Sequence, residues 1–465
     1  MVKKYFNIIS GIFFLFVIAV SATSFIPILS RELNLMTVGI IIVFMFLTIT
    51  YFMSSATGKS EKLLKKFISG NKILSDRIFC ILALILLVFQ LNFAFIQDFT
   101  PKNDLSYICT GAENIVTGNP FYNNIPEIHK HYFAVYPNNH MIFIVISILY
   151  RLEYIFTGNI KNIFPVIFNI ISLDISYILM YRISGIINTP EKSVVCAVRG
   201  LLLTPFVTYS AFFYTDSMAM PYITGAVYFY IKYINYNKIN RKTSDIIICS
   251  ILTAVGYKFK GSAGLLIPAI IFDMIINRRR NRLKNIFVLI VLFIIFCIIL
   301  SKISAGIISI DDAELEKYRF PLIHWIMMSV HGRGGYCAED FRYTLSFTGY
   351  ENKINADISR LAEKLSDMGF SGFFSHLICK ISYTWRDGTY MTGYYNKYSF
   401  LRSYGFYIFT AIFHFKMLYD IAHKYISGKY YDIIKIIIII LALFLMVWET
   451  RCRYLVSFFP LFMLI

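Results

Sequence analysis

The stretch IFCILALILLVFQLNFAFI, residues 78–96, decides the fold of this chain. It contains no charged residue, and a helix needs about 20 such residues to cross the hydrocarbon core of a bilayer. Similar apolar runs recur along the 465 residues, which are 57% hydrophobic and only 15% charged. Soluble domains carry about 25% charged residues. The sequence therefore predicts a polytopic helical membrane protein.

The net charge of +18 comes mainly from Lys and Arg in the loops between apolar runs. Loops on the cytoplasmic side carry an excess of these residues, so the charge indicates topology. We find no soluble segment in which a basic patch alternates with stacking aromatic residues. Nucleic acid is therefore not an expected partner, whereas membrane lipids are.

The first basic cluster sets the orientation of the chain. Because Lys and Arg are frequent from Lys59 to Arg77, residues 1–77 are predicted to form an N-terminal transmembrane hairpin and a cytoplasmic linker. The run 78–96 then leads outward, and the N-terminus is cytoplasmic. Residues 97–107, QDFTPKNDLSY, place Asp98 and Asp104 at the external surface.

The rest of the chain, 78–465, is predicted to form one catalytic module. Its fold class is all-α, and the whole chain is a transmembrane helical bundle of about twelve crossings. External loops are expected over 97–138 and 306–401. The short runs 139–152 and 371–383 are interpreted as interfacial helices that do not cross.

The eight cysteines give no sign of a metal site or a redox motif. Most lie in apolar runs, where Cys acts as a small core residue. Cys109 and Cys337 fall in external loops, so a disulfide between them is an open alternative. His129 and His131 have no third ligand type at metal spacing. We therefore assign no metal ligands and expect no cofactor, and the sequence leaves a metal requirement open.

Polar residues of an unusual kind collect near the external boundary of the membrane. Loop residues are often polar because loops are exposed to water. The side chain of a Lys or Arg near a helix end also extends to the membrane–water interface. Acids and bases at one depth nevertheless favour a functional site. The residues concerned are Asp98, Asp104, Asp216, Lys258, Lys260, Trp385, Asp387, Glu449, Arg451 and Arg453.

Five motifs occur in a recognisable order. They are DLSYICTGAENIVTGNPFYNN at 104–124, YPNN at 136–139, TPFVTYSAFFYTDSM at 204–218, KGSAGLLIP at 260–268 and ETRCRYLVSFFP at 449–460. This order resembles the GT-C superfamily of integral-membrane glycosyltransferases, especially the branch of protein O-mannosyltransferases and the lipid A aminoarabinose transferase. The resemblance spans residues 78–465.

The resemblance implies a helical bundle whose first external loop carries the catalytic acid on small interfacial helices. It also implies a sugar donor linked to a polyprenyl phosphate. The spacing of Asp104, Tyr107, Ala112 and Gly118 fits the family pattern, whereas Asp98 comes too early. YPNN replaces the usual double proline, which leaves the acceptor side open.

The chemistry of such a transfer assigns roles to the charged residues. A carboxylate must take the proton of the acceptor, and Asp104 is the predicted base with Asp216 as its neighbour. Cations must stabilise the charge that develops on the leaving phosphate, and Lys260, Arg451 and Arg453 suit this role. Residues proposed for the sugar or acceptor pocket are Tyr107, Tyr136, His324, Trp385, Asp387 and Glu449.

The sequence thus predicts an inverting glycosyltransferase in the cell membrane, with its active site on the external face. Its partners would be a polyprenyl-phosphate sugar donor and a lipid, glycan or protein acceptor. The alternative is a transporter or flippase of a lipid-linked or anionic solute. Transporters usually show internal repeats and a site at the membrane midplane. No repeat is evident in this sequence, which favours the enzyme.

Overall fold

The computed structural model describes residues 2–22, 59, 62–97, 99–118, 131–202, 204–235, 243–279, 281–308, 310, 312–386, 404–427 and 432–465. Within these ranges, all of the regular secondary structure is helical. The second helix of the predicted N-terminal hairpin lies outside the described residues, as do Asp98 and Asp387.

The first half of the chain contains helices of very unequal length. These are α1 (Val2–Ala22), α2 (Lys72–Gln97), α3 (Asp104–Val116), α4 (Tyr132–Val135), α5 (His140–Thr157), α6 (Ile163–Ile187), α7 (Pro190–Leu202), α8 (Pro205–Thr208), α9 (Thr215–Met218) and α10 (Met220–Asn235). A 3-10 turn over Pro137–Asn139 leads into α5.

The second half has the same character. Its helices are α11 (Thr243–Phe259), α12 (Leu266–Ile276), α13 (Arg282–Ile308), α14 (Asp312–Tyr318), α15 (Leu322–Ser329), α16 (Ala338–Leu345), α17 (Tyr350–Thr384), α18 (Tyr404–Ser427), α19 (Asp432–Val447) and α20 (Phe459–Met463). Two 3-10 segments, Gly261–Leu265 and Cys452–Phe458, precede α12 and α20.

Four helical stretches in the described part of the chain are long and apolar enough to cross a membrane: Lys72–Gln97, Pro137–Thr157, Ile163–Ile187 and Arg282–Ile308. In α13 only 6% of the apolar window is buried inside the protein, so most of this helix faces lipid. The predicted all-α membrane class is confirmed. Four long stretches are fewer than the predicted crossings, since α7, α10 and α11 have only 13, 16 and 17 residues.

Helices α2 and α6 run antiparallel. Near the N-terminal end of α2, Ser75 Oγ lies 2.8 Å from the hydroxyl of Tyr181, which is near the C-terminal end of α6. Toward the other end, Gln90 of α2 and Asn169 of α6 both donate to backbone carbonyls within 206–210. The chain therefore leaves α2 and enters α6 at the same end of the bundle, and crosses an even number of times in between.

A buried carboxylate fixes the turn between α5 and α6. Glu153 is fully buried and accepts hydrogen bonds from the backbone N–H groups of Lys161 (2.7 Å), Ile163 (3.2 Å) and Phe164 (3.1 Å). The first N–H groups of a helix have no partner inside the helix, and a negative charge is favourable there. Glu153 thus stabilises the start of α6.

Helix α17 is bent at Gly369, whose φ of 57° lies in the left-handed region. After the bend, Phe370, Phe374 and Ile378 are 82%, 50% and 42% exposed. Residues four positions apart share one helix face, so these side chains form an apolar exposed stripe. Lys380, in contrast, is buried. The predicted interfacial run 371–383 corresponds to this second part of α17.

Candidate active site

The end of α11 brings Lys260 into the interior. The helix ends at Phe259, Lys260 adopts an extended conformation, and the 3-10 segment Gly261–Leu265 follows. Gly256 permits this tight turn, because a Cβ there would lie 3.2–3.3 Å from the Cβ atoms of Tyr222 and Ala263. The ammonium group of Lys260 consequently contacts the carboxylate of Asp216.

Asp216 lies in the four-residue helix α9 and is fully buried. Its carboxylate receives a hydrogen bond from Lys260, and Ser457 Oγ donates to its backbone carbonyl at 2.7 Å. A buried carboxylate is costly without a partner. The pairing with Lys260 therefore explains how Asp216 is tolerated at this depth.

Arg453 lies between two carboxylates without bonding to either. Its Nη2 is 3.9 Å from Asp104 Oδ2, and its Nε is 3.9 Å from Asp216 Oδ2. Both distances exceed that of a hydrogen bond. Arg453 Nε and Asp216 Oδ2 are buried atoms with no hydrogen-bond partner in the described structure. The Nε–H of Arg453 is thus a buried donor that no acceptor among the described residues satisfies.

Asp104 is the accessible carboxylate of this pair. It is the first residue of α3, and its side chain is 39% exposed, whereas that of Asp216 is 0% exposed. Tyr214 Oη donates to Asp104 Oδ2 over 3.4 Å. Asp104 is therefore accessible from solvent, whereas Asp216 contacts Lys260 inside the protein and lies near Arg453.

Two tyrosines complete this cluster, and sequence reasoning assigned no role to them. The Arg453 guanidinium lies 5.2 Å from the ring centre of Tyr214, and the Lys260 ammonium lies 4.4 Å from that of Tyr454. Such contacts stabilise a cation that is removed from water. Both tyrosines stand inside the motifs already quoted, YTD and RCRY, directly beside the charged residues.

Arg451 occupies a different position from Arg453. Its Nε donates to Glu449 Oε1 at 3.1 Å, and Tyr454 Oη donates to the other oxygen of Glu449 at 2.5 Å. The Arg451 guanidinium also lies 5.9 Å from the ring centre of Tyr336. Of the two predicted phosphate ligands on this segment, Arg453 faces both Asp104 and Asp216, and Arg451 is paired with Glu449.

Aromatic rings form a wall beside α3. Tyr107 stacks on Tyr132 with ring centres 4.8 Å apart, and Tyr132 lies 4.9 Å from Tyr136. Tyr136 in turn lies 5.6 Å from Trp325. The predicted pocket residues Tyr107 and Tyr136 therefore belong to one aromatic row that begins on the helix of Asp104.

Two other predicted pocket residues lie elsewhere. His324 is fully buried, and its Nδ1 lies 2.7 Å from Thr344 Oγ1. Trp385 is 1% exposed and packs between Phe14 and Phe462. Both side chains are therefore enclosed by protein in this structure. The cysteines Cys109 and Cys337 are both free thiols, so the disulfide alternative is wrong.

The glycine-rich loop, residues 332–336, contacts the segment that carries Arg451 and Arg453. Gly334 O accepts a hydrogen bond from Thr450 N at 2.8 Å, and Thr450 Oγ1 lies 2.8 Å from Thr384 Oγ1. A Cβ on Gly334 would lie 2.7–2.8 Å from three carbons of the Lys380 side chain. Close packing, as well as backbone conformation, therefore selects glycine at this position.

We expect Gly334→Ala to lower the unfolding temperature more than Gly332→Ala. Both glycines have positive φ, 79° and 53°, so the backbone strain of about 1–2 kcal/mol is common to both variants. Only Gly334 has a close neighbour, Lys380. Thermal unfolding of the two variants in detergent isolates the contact, and equal losses would contradict it.

A second polar cluster is buried away from the charged site. Thr344 Oγ1 donates to Asp357 Oδ1 at 2.5 Å, and His324 Nδ1 lies 2.7 Å from the same hydroxyl oxygen. Burial lowers the pKa of His324 to about 3 and raises the pKa of Asp357 to about 6. In both groups burial destabilises the charged form, and the pKa shift is the result.

These two pKa shifts act oppositely on stability. A His whose pKa is lowered on folding makes the protein less stable as pH falls below 6.5. An Asp whose pKa is raised makes the protein less stable as pH rises above 3.8. Between about pH 4 and pH 6 the two effects largely cancel, because each amounts to about 1.4 kcal/mol per pH unit.

Asp357→Asn should therefore reveal a pH dependence that the natural pair conceals. We expect the free energy of unfolding of this variant to fall by about 1.4 kcal/mol per unit as pH drops from 6 to 4. The measurement is denaturant unfolding in detergent at several pH values. Asp367→Asn, which alters an exposed acid of the same helix, should behave like the natural protein. An unchanged profile for Asp357→Asn would refute this account.

Comparison with known proteins identifies the family to which the chain belongs. A family model described as "Conserved hypothetical integral membrane protein" matches residues 1–404. No curated protein matches the chain. The family match agrees with the apolar helices of the structure.

Proposed function

The chain belongs to the family of conserved hypothetical integral membrane proteins, and we propose that it transfers a sugar at the membrane. The reaction would be an inverting glycosyl transfer from a polyprenyl-phosphate sugar to a lipid, glycan or protein acceptor. The site would lie on the external face of the cell membrane, and the N-terminus would be cytoplasmic. In this proposal the helices adopt a GT-C arrangement of about twelve crossings.

One observation carries the proposal. An accessible carboxylate, Asp104, and a buried one, Asp216, lie on either side of Arg453 at 3.9 Å each. Lys260 approaches from the side of Asp216. A base that the acceptor can reach therefore stands next to two cations suited to a leaving phosphate. These are the two functions that glycosyl transfer from a phosphate donor needs.

The chemical step can be written with these residues. Asp104 takes the proton of the acceptor hydroxyl or amine as that atom attacks the anomeric carbon. The bond between this carbon and the phosphate oxygen breaks on the opposite face, which inverts the configuration. Lys260 and Arg453 stabilise the charge that the phosphate oxygen gains, and this lowers the barrier more than it strengthens substrate binding.

An apolar groove supports a lipid-linked donor. The groove has a volume of about 550 Å³ and lies between α13 and the turn after α11. Gly261 lines it directly beside Lys260, and Phe293, Ile298 and Lys302 form the wall on α13. An isoprenoid chain in this groove would lie beside the turn that carries Lys260, whose own side chain contacts Asp216 and is not part of the groove wall. Apolar chains bind in such grooves through the hydrophobic effect.

The aromatic row offers a surface for the sugar or the acceptor. Tyr107 and Tyr136 line it, and the carboxylate of Glu449 is close enough to Tyr136 to interact with it electrostatically. Aromatic faces pack against the C–H groups of sugar rings, and carboxylates accept hydrogen bonds from their hydroxyls. The row is therefore the proposed pocket.

A transfer assay in detergent separates this enzyme from a transporter. The purified chain would be mixed with a radiolabelled short-chain polyprenyl-phosphate sugar and an extract of membrane lipids, glycans and proteins. An enzyme converts the label into a covalent product in the absence of sealed compartments. A transporter or flippase yields no such product, and only vesicles would reveal its activity. If no acceptor fraction gains covalently bound label and all of the label stays on the donor, the proposal is overturned.

A further inference from the structure

Three side chains of metal-ligand type lie together where the glycine-rich loop begins and ends. His331 and Cys337 flank residues 332–336, and Asp340 follows in the first turn of α16. One ligand atom from each of these three residues lies within 4.8 Å of the others. We propose that His331, Cys337 and Asp340 bind a divalent transition metal ion, for which zinc is the best match.

The ligand types favour zinc over the common hard cations. Thiolate and imidazole are preferred by zinc, whereas calcium and magnesium require oxygen ligands. Tetrahedral zinc holds its ligand atoms about 3.5 Å apart. The trio therefore needs to close by about 1 Å, and the exposed side chain of His331 can supply this movement. A water molecule would complete the coordination.

Neighbouring side chains fix the position of Asp340, one of the three proposed ligands. Asp340 is fully buried, and its two oxygens accept hydrogen bonds from Arg360 Nε at 3.0 Å and Lys364 Nζ at 2.7 Å. A carboxylate has about four acceptor positions, so each oxygen keeps one for the metal. Hydrogen-bonded partners of this kind orient metal ligands in proteins. The exposed His331 side gives the ion a path from solvent.

The site would fasten both ends of the glycine-rich loop. The same loop bonds to Thr450 through Gly334 and places Tyr336 5.9 Å from the Arg451 guanidinium. The ion would therefore have a structural role, and several side chains would separate it from Asp104. This inference does not depend on the reaction proposed above, because metal binding is measured directly.

Cobalt is a suitable probe, since a cobalt–thiolate bond gives a charge-transfer band in the near ultraviolet. We expect the full chain, purified in detergent and treated with a chelator, to bind one Co²⁺ with this band and to release it when Zn²⁺ is added. Cys337→Ser should abolish the band, and His331→Ala should weaken binding at least tenfold. Cys379→Ser, which removes an exposed cysteine, should leave both unchanged.

A variant that is expected to increase the signal distinguishes loss of the metal site from misfolding. His331→Cys keeps three ligands and adds a thiolate, so the charge-transfer intensity should rise about twofold. The proposal is overturned if the natural protein binds less than one ion per chain. It is equally overturned if the band survives Cys337→Ser, or if His331→Cys leaves its intensity unchanged.

Discussion

Asp104→Asn is expected to reduce sugar transfer by about 10²–10⁴-fold, the usual contribution of a general base. Asn has nearly the same shape as Asp but cannot accept the proton of the acceptor. The side chain of Asp104 is exposed enough to meet a substrate, and Tyr214 and Arg453 lie beside it. The expected loss is in kcat, with donor binding largely retained.

The control for this prediction lies on the same helix. Glu113 is an exposed acid near the other end of α3, so Glu113→Gln should retain transfer activity. Asp98→Asn tests the competing acid, and we expect it to retain most activity too. Full activity of Asp104→Asn would remove the proposed base. A severe loss in Asp98→Asn alone would transfer the role to Asp98.

Lys260→Met is the second variant with a large expected effect. It leaves the fully buried Asp216 with Arg453 at 3.9 Å as its remaining cation. Breaking a buried ion pair from one side typically costs about 3–5 kcal/mol of stability. The variant should therefore unfold at a much lower temperature, and its transfer activity should be lost.

A double variant separates the two roles of Lys260. In Lys260→Met with Asp216→Leu, both members of the buried pair are removed and Arg453 keeps Asp104 at 3.9 Å, so much of the stability should return. Transfer should stay about 10²–10³-fold below normal, because the cation for the leaving phosphate is still missing. Lys258→Met is the matched control, since Lys258 contacts Ser301 on α13 instead of Asp216. Recovery of transfer in the double variant would show that Lys260 serves only the fold.

Much of the cluster could be anticipated from the sequence because charged residues at membrane depth are costly and therefore informative. Asp104, Asp216, Lys260 and Arg453 were selected from separate motifs, and the structure places them together. Sequence spacing alone could not show that Asp216 is buried while Asp104 is exposed. That difference depends on packing between distant segments, such as the hydrogen bond from Ser457 to Asp216.

Other features could not be predicted for identifiable physical reasons. An aromatic residue near a helix end suits a pocket and a core equally well, and Trp385 belongs to the core. His324 is matched by Asp357 and Thr344 through contacts that no local pattern reveals. The trio of His331, Cys337 and Asp340 has no familiar metal spacing, and the loop conformation brings it together.

The apolar stripe after the bend in α17 has a consequence for the depth of the site. Phe370, Phe374 and Ile378 would enter the acyl region of one leaflet, as side chains of a helix lying in the interface do. The opposite side of this helix touches the glycine-rich loop through Lys380. The stripe would thus set the position of the protein along the membrane normal. In the proposed reaction, the thickness of that leaflet would then determine how well Arg453 and a lipid phosphate are aligned.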